Sequence, residues 1–528
     1  MISSDPAHLA RIMGLMCEAI ALRGAQQPAP ALAALDQALA LDPTFLPLHM
    51  QRADLLLEMN DLAGAVAAYE ACLALAPDYE EARLAHRTVL AQWAASLQAA
   101  LAAEHQGDPA RAITLAQVCY KLDQPQQALA AIEAVLPLTR LEHQVLHANI
   151  LLRLNRHEAA LHCYSGSATD AATRALVAFN RADILRRMGR IDEAQAGYEE
   201  ALRCHADFPE AQVGRAHMLL TRQDYAQGWL AHEARFEMAD LARLGMASPS
   251  ARPRWQPGED VGGKHVLLWC EQGQGDSLQF VRYLPWVAQR AAEVTLCAPA
   301  SLLPLLAPSL PQVRCVSSVE EAGPHDCQAS LLSLPLLLDL PDPSQGPQPP
   351  YLYADPLHVE QWQTRLTQLG STGPRRPRIG LVWAGRQYGA IHHSRDVPLA
   401  ALLPLLDLPA EFISLQVEIP LADQALYESL AGRLPTLPLA DWADTAALAC
   451  ALDLVISVDT AVAHLAGALG LPCFLLQRLE GEWRWGVQGA HSPWYPSLRL
   501  LRQQVRGDWS HVVQALVTAC YERFAQCS

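Results

Sequence analysis

The sequence contains no Cys-x-x-Cys pair among its 13 cysteines and no Asp-x-Asp anywhere. It also lacks an unbroken apolar run near the ~20 residues that a membrane-spanning helix needs, and it has no surplus of basic charge. Each absence excludes something. Scattered thiols in odd number, from Cys17 to Cys527, argue against a disulfide framework or a zinc site and fit reduced cysteines in a cytoplasmic protein. The formal net charge of -16 argues against a nucleic-acid partner, because a protein that tracks phosphates carries a basic face. Met1–Pro6 is polar and acidic, unlike the basic start of a signal peptide. No transmembrane segment is expected, and peripheral membrane contact is left open. Without Asp-x-Asp there is no ready carboxylate pair to hold a divalent cation on a diphosphate, so neither metal nor resident cofactor is expected. Any diphosphate must then be met by a helix terminus and by Arg or His.

What is present is length and repetition. At 528 residues, 51% of them hydrophobic, the chain has room for about three domains. Pro43 and Pro77 stand 34 residues apart. Between them fall Asn60-Asp61, Ala65, Tyr69, Leu73 and Leu75, and the same period places Gln26, Ala31, Leu35, Leu39 and Leu41 one unit earlier. A further unit reads Gly189, Ala194, Tyr198, Ala201 and ends at Phe208-Pro209, with less regular copies around Gln124–Leu136 and Asn155–Tyr164. Small residues at Ala65 and Ala194 let paired helices approach, while Tyr and Leu fill the gap to the next unit. The pattern resembles the tetratricopeptide repeat over roughly residues 10–236. A stacked α-solenoid over 1–245 is expected, a surface with little chemistry of its own.

The composition changes after Leu244. A proline-rich connector, 246–263, leads into alternating short apolar strands and helical stretches. Strands are expected at His265–Cys270, Val294–Cys297, Ile379–Trp383, Phe412–Leu415, Leu454–Val458 and Cys473–Leu476, with helices at Ser277–Arg290 and Thr460–Leu469. A second punctuated stretch, Leu340–Pro350, divides the alternation. Repeated βα units imply parallel sheets, hence two Rossmann-like lobes over 264–375 and 376–528, with ligands at the carboxyl ends of the strands.

Three stretches carry candidate chemistry. In Trp269-Cys-Glu-Gln-Gly-Gln-Gly-Asp-Ser277 a strand runs into a glycine turn, and Asp276 stands at the mouth of a helix. That aspartate is either a helix N-cap or a carboxylate facing a cleft. In Asp453–Gly470 a buried strand meets a helix opening with Asp459 and Thr460. His464 lies one turn on, so the choice is between a capped core helix and an anion site. In Ile379-Gly-Leu-Val-Trp-Ala-Gly-Arg386 and His392-His-Ser-Arg-Asp396 a strand opens into a basic loop. There Arg395 is either a solvated cation or a phosphate ligand, and the His pair has no third partner for a metal.

Together, Glu271-Gln-Gly-Gln-Gly-Asp276, Val382-Trp-Ala-Gly385, Ile413-Ser-Leu-Gln416 and Val458-Asp-Thr-Ala-Val-Ala-His-Leu-Ala resemble glycosyltransferases of the heptosyltransferase type (glycosyltransferase family 9). They look closely like bacterial relatives fused to tetratricopeptide repeats. Asp441-Trp-Ala-Asp-Thr-Ala446, Ser492-Pro-Trp-Tyr-Pro496 and Tyr225-Ala-Gln-Gly-Trp-Leu-Ala-His-Glu-Ala-Arg235 add to the likeness, which spans nearly the whole chain. The resemblance implies a GT-B architecture, with the acceptor on the first lobe and a nucleotide sugar on the second. It makes Asp276 the general base, in an acceptor-side loop with Gln272, Gly273, Gly275 and Ser277. It gives donor contacts to Asp459, Thr460, His464, Arg395, Gln416, Trp383 and Gly385. Two positions depart from the family pattern: Ala461 replaces a glycine after Asp-Thr, and Asp396 replaces a serine after Arg395.

The expected activity is therefore inverting, metal-independent transfer of a hexosyl or heptosyl group from a nucleotide sugar to an acceptor hydroxyl. The acceptor is either a protein gathered by the repeats, such as flagellin or another surface protein, or a lipopolysaccharide or other cell-surface glycan. The alternative is a non-catalytic repeat scaffold with a degenerate transferase lobe, for which Ala461 and Asp396 are the motivation. An epimerase or hydrolase on two similar lobes lacks a second acid–base group near Asp276.

Overall fold

The computed structural model describes residues 6–103, 108–164, 170–239, 241, 245–370, 375–385, 395–480 and 482–525. It divides into two compact units, Met1–Ser167 and Ala168–Ser528. Among the described residues the elements of the first unit are all helices: α1 (Pro6–Gly24), α2 (Pro28–Leu41), α3 (Leu46–Glu58), α4 (Leu62–Leu75), α5 (Glu80–Ala103), α6 (Pro109–Lys121), α7 (Pro125–Glu133), α8 (Leu141–Arg153) and α9 (His157–His162). The second opens with two more hairpins, α10 (Ala171–Arg187) with α11 (Ile191–Cys204), and α12 (Pro209–Thr221) with α13 (Tyr225–His232).

Six hairpins among the described residues share one device. Two residues past the first helix of each stands a residue with positive φ: Gln26, Asn60, Asp123, Asn155, Gly189 and Gln223. A left-handed residue there caps the carbonyl end and turns the chain back. Where the next residue is aspartate it also starts the second helix, as Asp61 does by accepting the Gly64 N–H at 2.9 Å. Ala65 and Ala194 are fully buried at the crossings, as their spacing predicts. Tyr198 fills the gap to the next hairpin so closely that a methyl on Gly214 would stand 2.4 Å from its ring.

The remainder of the second unit carries two wholly parallel sheets. The first contains β1 (His265–Trp269), β2 (Glu293–Cys297), β3 (Arg314–Val316) and β4 (Cys327–Ser330), in the order β3-β2-β1-β4. The second contains β5 (Arg378–Val382), β6 (Glu411–Ser414), β7 (Leu454–Val458), β8 (Cys473–Gln477) and β9 (Leu498–Arg502), in the order β6-β5-β7-β8-β9. All six expected strands are present within one residue at each end. β3, β4 and β9 went unread, because Arg-Cys-Val and Cys-Gln-Ala-Ser are too short and too polar to show a buried-strand run.

The helix expected over Ser277–Arg290 is corrected. α14 (Gln274–Phe280) gives way to a 3₁₀ turn at Val281–Tyr283 and a new helix at Leu284–Ala288. Pro285 explains the break: it has no N–H to return to Val281, so the chain starts again with proline in the first turn.

A single apolar core runs from α12 and α13 through the first sheet to one face of the second; a separate core fills the other face of the second sheet. Trp229 of α13 sits in the first of these. Its ring meets Phe280, Trp483 and Trp494 edge-on at 5.7, 5.3 and 6.3 Å, and its Nε1 donates to the Pro341 carbonyl at 2.9 Å. Within 246–263, Trp255 is buried and its N–H donates to the Gln328 carbonyl at 2.8 Å, laying this stretch along the edge of β4. Among the described residues no helix is long and apolar enough to cross a membrane.

Candidate active site

β1 ends at Trp269, and the next residues make the turn the motif requires. Gln272 has a φ of 59°, and its N–H donates to the Gly245 carbonyl at 3.0 Å. Gly273 precedes α14. Asp276 is not the N-cap: it occupies the third helical position, and its Oδ2 reaches back to accept the Gly273 N–H at 2.9 Å. This is the returning half of a capping box, and glycine at the N-cap leaves no side chain for the other half. Ser277 is buried and points back along the turn to the Gly273 carbonyl at 3.5 Å.

β7 ends at Val458, followed by Asp459, Thr460 and the helix Ala461–Ala468. Thr460 is the N-cap residue, but its hydroxyl pairs with Ser457 Oγ at 2.9 Å instead of closing the helix. The helix start is therefore not capped by its own threonine, which suits an anion. This start lies directly against α14, since a methyl on Gly275 would stand 3.4 Å from the Ala461 Cα.

His464 is not a charged ligand. It is buried, its Nδ1 lies 3.0 Å from the Tyr495 hydroxyl, and its ring stacks on Trp485 at 5.1 Å. Burial, helped by the Arg484 cation, lowers its pKa to about 4, so the imidazole is neutral at physiological pH.

The third stretch divides. Arg395 reaches the helix start, donating Nη1 to the Asp459 carbonyl at 3.1 Å, and its buried Nε finds no partner among the described residues. Its guanidinium lies across Gly385, where a Cβ would stand 2.2 Å from Nη2. Asp396 turns to the backbone, accepting the Gly385 N–H at 2.9 Å. Gln416 instead braces the end of β5. Its Oε1 accepts from the N–H groups of Trp383 and Ala384, both at 3.1 Å, and its Nε2 donates to the carbonyls of Ala384 and Glu418, both at 2.9 Å. Trp383 is buried, with Nε1 on Asp423 Oδ2 at 3.0 Å. Arg386, His392 and His393 lie outside the described residues.

The residues that tie the two halves together were not foreseen. They sit in Glu482-Trp-Arg-Trp485, just beyond β8. Arg484 is buried over the Trp483 ring at 4.0 Å; its Nη2 pairs with Asp276, its Nη1 with Glu482, and its Nε donates to Gln279 Oε1 at 2.9 Å. Trp485 Nε1 donates to Asp459 Oδ1 at 3.0 Å. An arginine between two tryptophans at the carboxyl end of a strand was the available signal.

Burial opposes the charge on Arg484, but Asp276, Glu482 and Asp459 around it outweigh burial and keep it protonated. Glu482 is pushed up to about 7. Burial is the main cause, Asp459 and Asp276 add to it, and Arg484 opposes it. The cluster thus holds two aspartates, an acid that titrates near neutrality and two guanidinium groups beside an open helix start. Among the described residues no group of three or more His, Cys, Asp or Glu side chains is arranged to hold a metal ion. A cavity of about 950 Å³ lies at the opposite, amino-terminal edge of the second sheet, lined by residues such as Arg375, Asp453, His491 and Arg499.

Fold and site together describe a helical-repeat protein joined to two parallel-sheet lobes, with titratable groups gathered where strand ends from both lobes meet. Residues 46–79 and 175–203, within the hairpins α3–α4 and α10–α11 and the turn that follows α4, match the tetratricopeptide repeat. Over 500 residues the chain is 28% identical to Protein FlbA of Caulobacter vibrioides, an alignment covering 87% of this chain and 81% of that protein. Among solved structures it is similar to the ADP-heptose LPS heptosyltransferase II of E. coli, at 14% identity and a TM-score of 0.36 over 50% of this chain and 99% of that one. It is likewise similar to the family 9 glycosyl transferase of Veillonella parvula, at 11% identity and a TM-score of 0.37 over 51% and 99%.

Proposed function

We propose that the chain transfers a sugar from a nucleotide-sugar donor to an acceptor hydroxyl, with inversion at the anomeric carbon and without a metal. The observation that carries this reading is the contact between the turn bearing Asp276, at the end of β1, and the open helix start at Thr460–Ala461, at the end of β7. Asp276 accepts the proton of the acceptor hydroxyl while its oxygen attacks the anomeric carbon. The bond from that carbon to the diphosphate breaks, and the nucleoside diphosphate leaves with the electron pair. Charge gathering on the diphosphate is met by the helix start and by Arg395, whose Nε has no partner among the described residues. Arg484 pairs with Asp276 in this structure, so the base works only once that pair loosens as the lobes part and substrates enter. The helical repeats present a protein or peptide acceptor, and a cell-surface glycan is the competing one.

Calorimetry on the full chain with UDP-, GDP-, ADP- and dTDP-sugars tests the donor assignment. One of them binds, and Arg395→Ala weakens that binding. The same pairing of Asp276 with Arg484 favours a second reading, a scaffold whose site no longer opens; binding of none of these nucleotides would support that reading instead.

A further inference from the structure

Arg235 stands on the 3₁₀ turn Glu233–Glu237, the continuation of α13, and its side chain is entirely buried. Its Nε donates to both oxygens of Glu271 at 3.1 Å, and Nη2 donates to Oε1 at 2.7 Å. The remaining donors go to Ser333 Oγ at 2.8 Å, Glu233 Oε1 at 2.6 Å and the His232 carbonyl at 3.2 Å. The Phe236 ring supports the guanidinium at 4.1 Å. The Glu271 side chain is equally buried and also accepts from the Ser330 hydroxyl.

Glu271 opens the turn that presents Asp276. The next residue, Gln272, holds a left-handed φ that non-glycine residues seldom adopt, and its N–H is fixed by the Gly245 carbonyl. Such a backbone persists only where its surroundings over-determine it. Both fastenings come from the chain that leaves the last helical hairpin. A buried ion pair adds little stability over an apolar pair of similar volume, whereas its multiply bonded geometry fixes orientation. The pair is thus better suited to setting direction than to holding the fold.

We propose that Arg235 is a positioning residue for the transfer reaction: through Glu271 it fixes the turn that carries Asp276, and so ties the last helical hairpin to the catalytic carboxylate. This rests on the reading of Asp276 as the base.

The test uses the full-length protein, the double variant Arg235→Met/Glu271→Met and the single variant Arg235→Lys. The double variant removes both charges together, so no buried charge is left alone, and it retains a cooperative unfolding transition. Hydrogen exchange in the peptide covering residues 270–280 accelerates about 10-fold or more, while exchange in 454–466 is unchanged. Affinity for the nucleotide sugar found by calorimetry stays within about twofold, and transfer falls about 10²-fold. Arg235→Lys keeps the charge without the paired geometry and gives intermediate values for both. A folded double variant whose turn exchanges at the wild-type rate overturns the proposal. If the double variant does not fold, unchanged exchange in Arg235→Lys overturns it equally. The exchange measurement needs no substrate, so a wild-type protein that transfers nothing counts against the proposed function and leaves this inference to be decided by the exchange rates.

Discussion

Gly275 lies so close to His464 that a methyl group on it would stand 2.8 Å from the imidazole Cδ2. The glycine is thus needed for the approach of α14 to the helix Ala461–Ala468, whatever its conformational freedom. His464 cannot retreat, because Tyr495 and Trp485 hold it from the other sides.

Gly275→Ala therefore forces the two helix starts apart and costs about 1–3 kcal/mol, the usual price of overpacking a closed contact. Denaturant unfolding of the full chain measures it. An unchanged midpoint would mean that the contact yields freely.

Gln416 gives a test that separates bracing from donor binding. Gln416→Leu leaves the buried N–H groups of Trp383 and Ala384 without their acceptor and lowers stability by about 1–3 kcal/mol. If Gln416 served only to touch the donor, stability would stay at the wild-type value and only nucleotide affinity would fall.

Stability should depend on pH through buried groups of opposite sign. His464, lowered to about 4, and His232, lowered well below its usual 6.5, both stay neutral in the fold while an unfolded chain protonates them. Each makes the protein less stable as pH falls from about 6.5 towards 4, by up to about 1.4 kcal/mol per pH unit. Glu482, raised to about 7, works the other way: between about 4.5 and 7 the fold retains a proton that the unfolded chain has lost, so its contribution declines as pH rises. The histidines outnumber the acid, so acid labilises the protein, and Glu482→Gln makes the acid side steeper. Melting temperatures from pH 4.5 to 7.5 read this directly, and equal slopes in wild type and variant would contradict the assignment to Glu482.

The architecture was legible because periodicity carries it. Left-handed turn residues and small crossing residues recur along the helices, and buried strands such as Leu454–Val458 stand out as apolar runs. The acidic turn and the Asp459-Thr460 helix start could also be read, since both are local: a strand, a turn and the first residues of a helix. The roles of Arg484 and Arg235 could not be read this way. Their importance comes from partners far away in sequence, Asp276 for Arg484 and Glu271 for Arg235, and a side chain's long-range partner leaves no local pattern. Gln416 and Trp383, to which the resemblance gave donor contacts, have hydrogen bonds to the backbone and to Asp423 around them, a bracing role that no local pattern announces.

The most direct measurement compares wild type with Asp276→Asn in transfer from the nucleotide sugar that calorimetry identifies, following the configuration of the new glycosidic bond and the release of nucleoside diphosphate. The account predicts an inverted product from the wild type. The variant should bind the donor with nearly the same affinity and turn over about 10²-fold more slowly, or slower still. Transfer by Asp276→Asn at close to the wild-type rate, or a product with retained configuration, would contradict it.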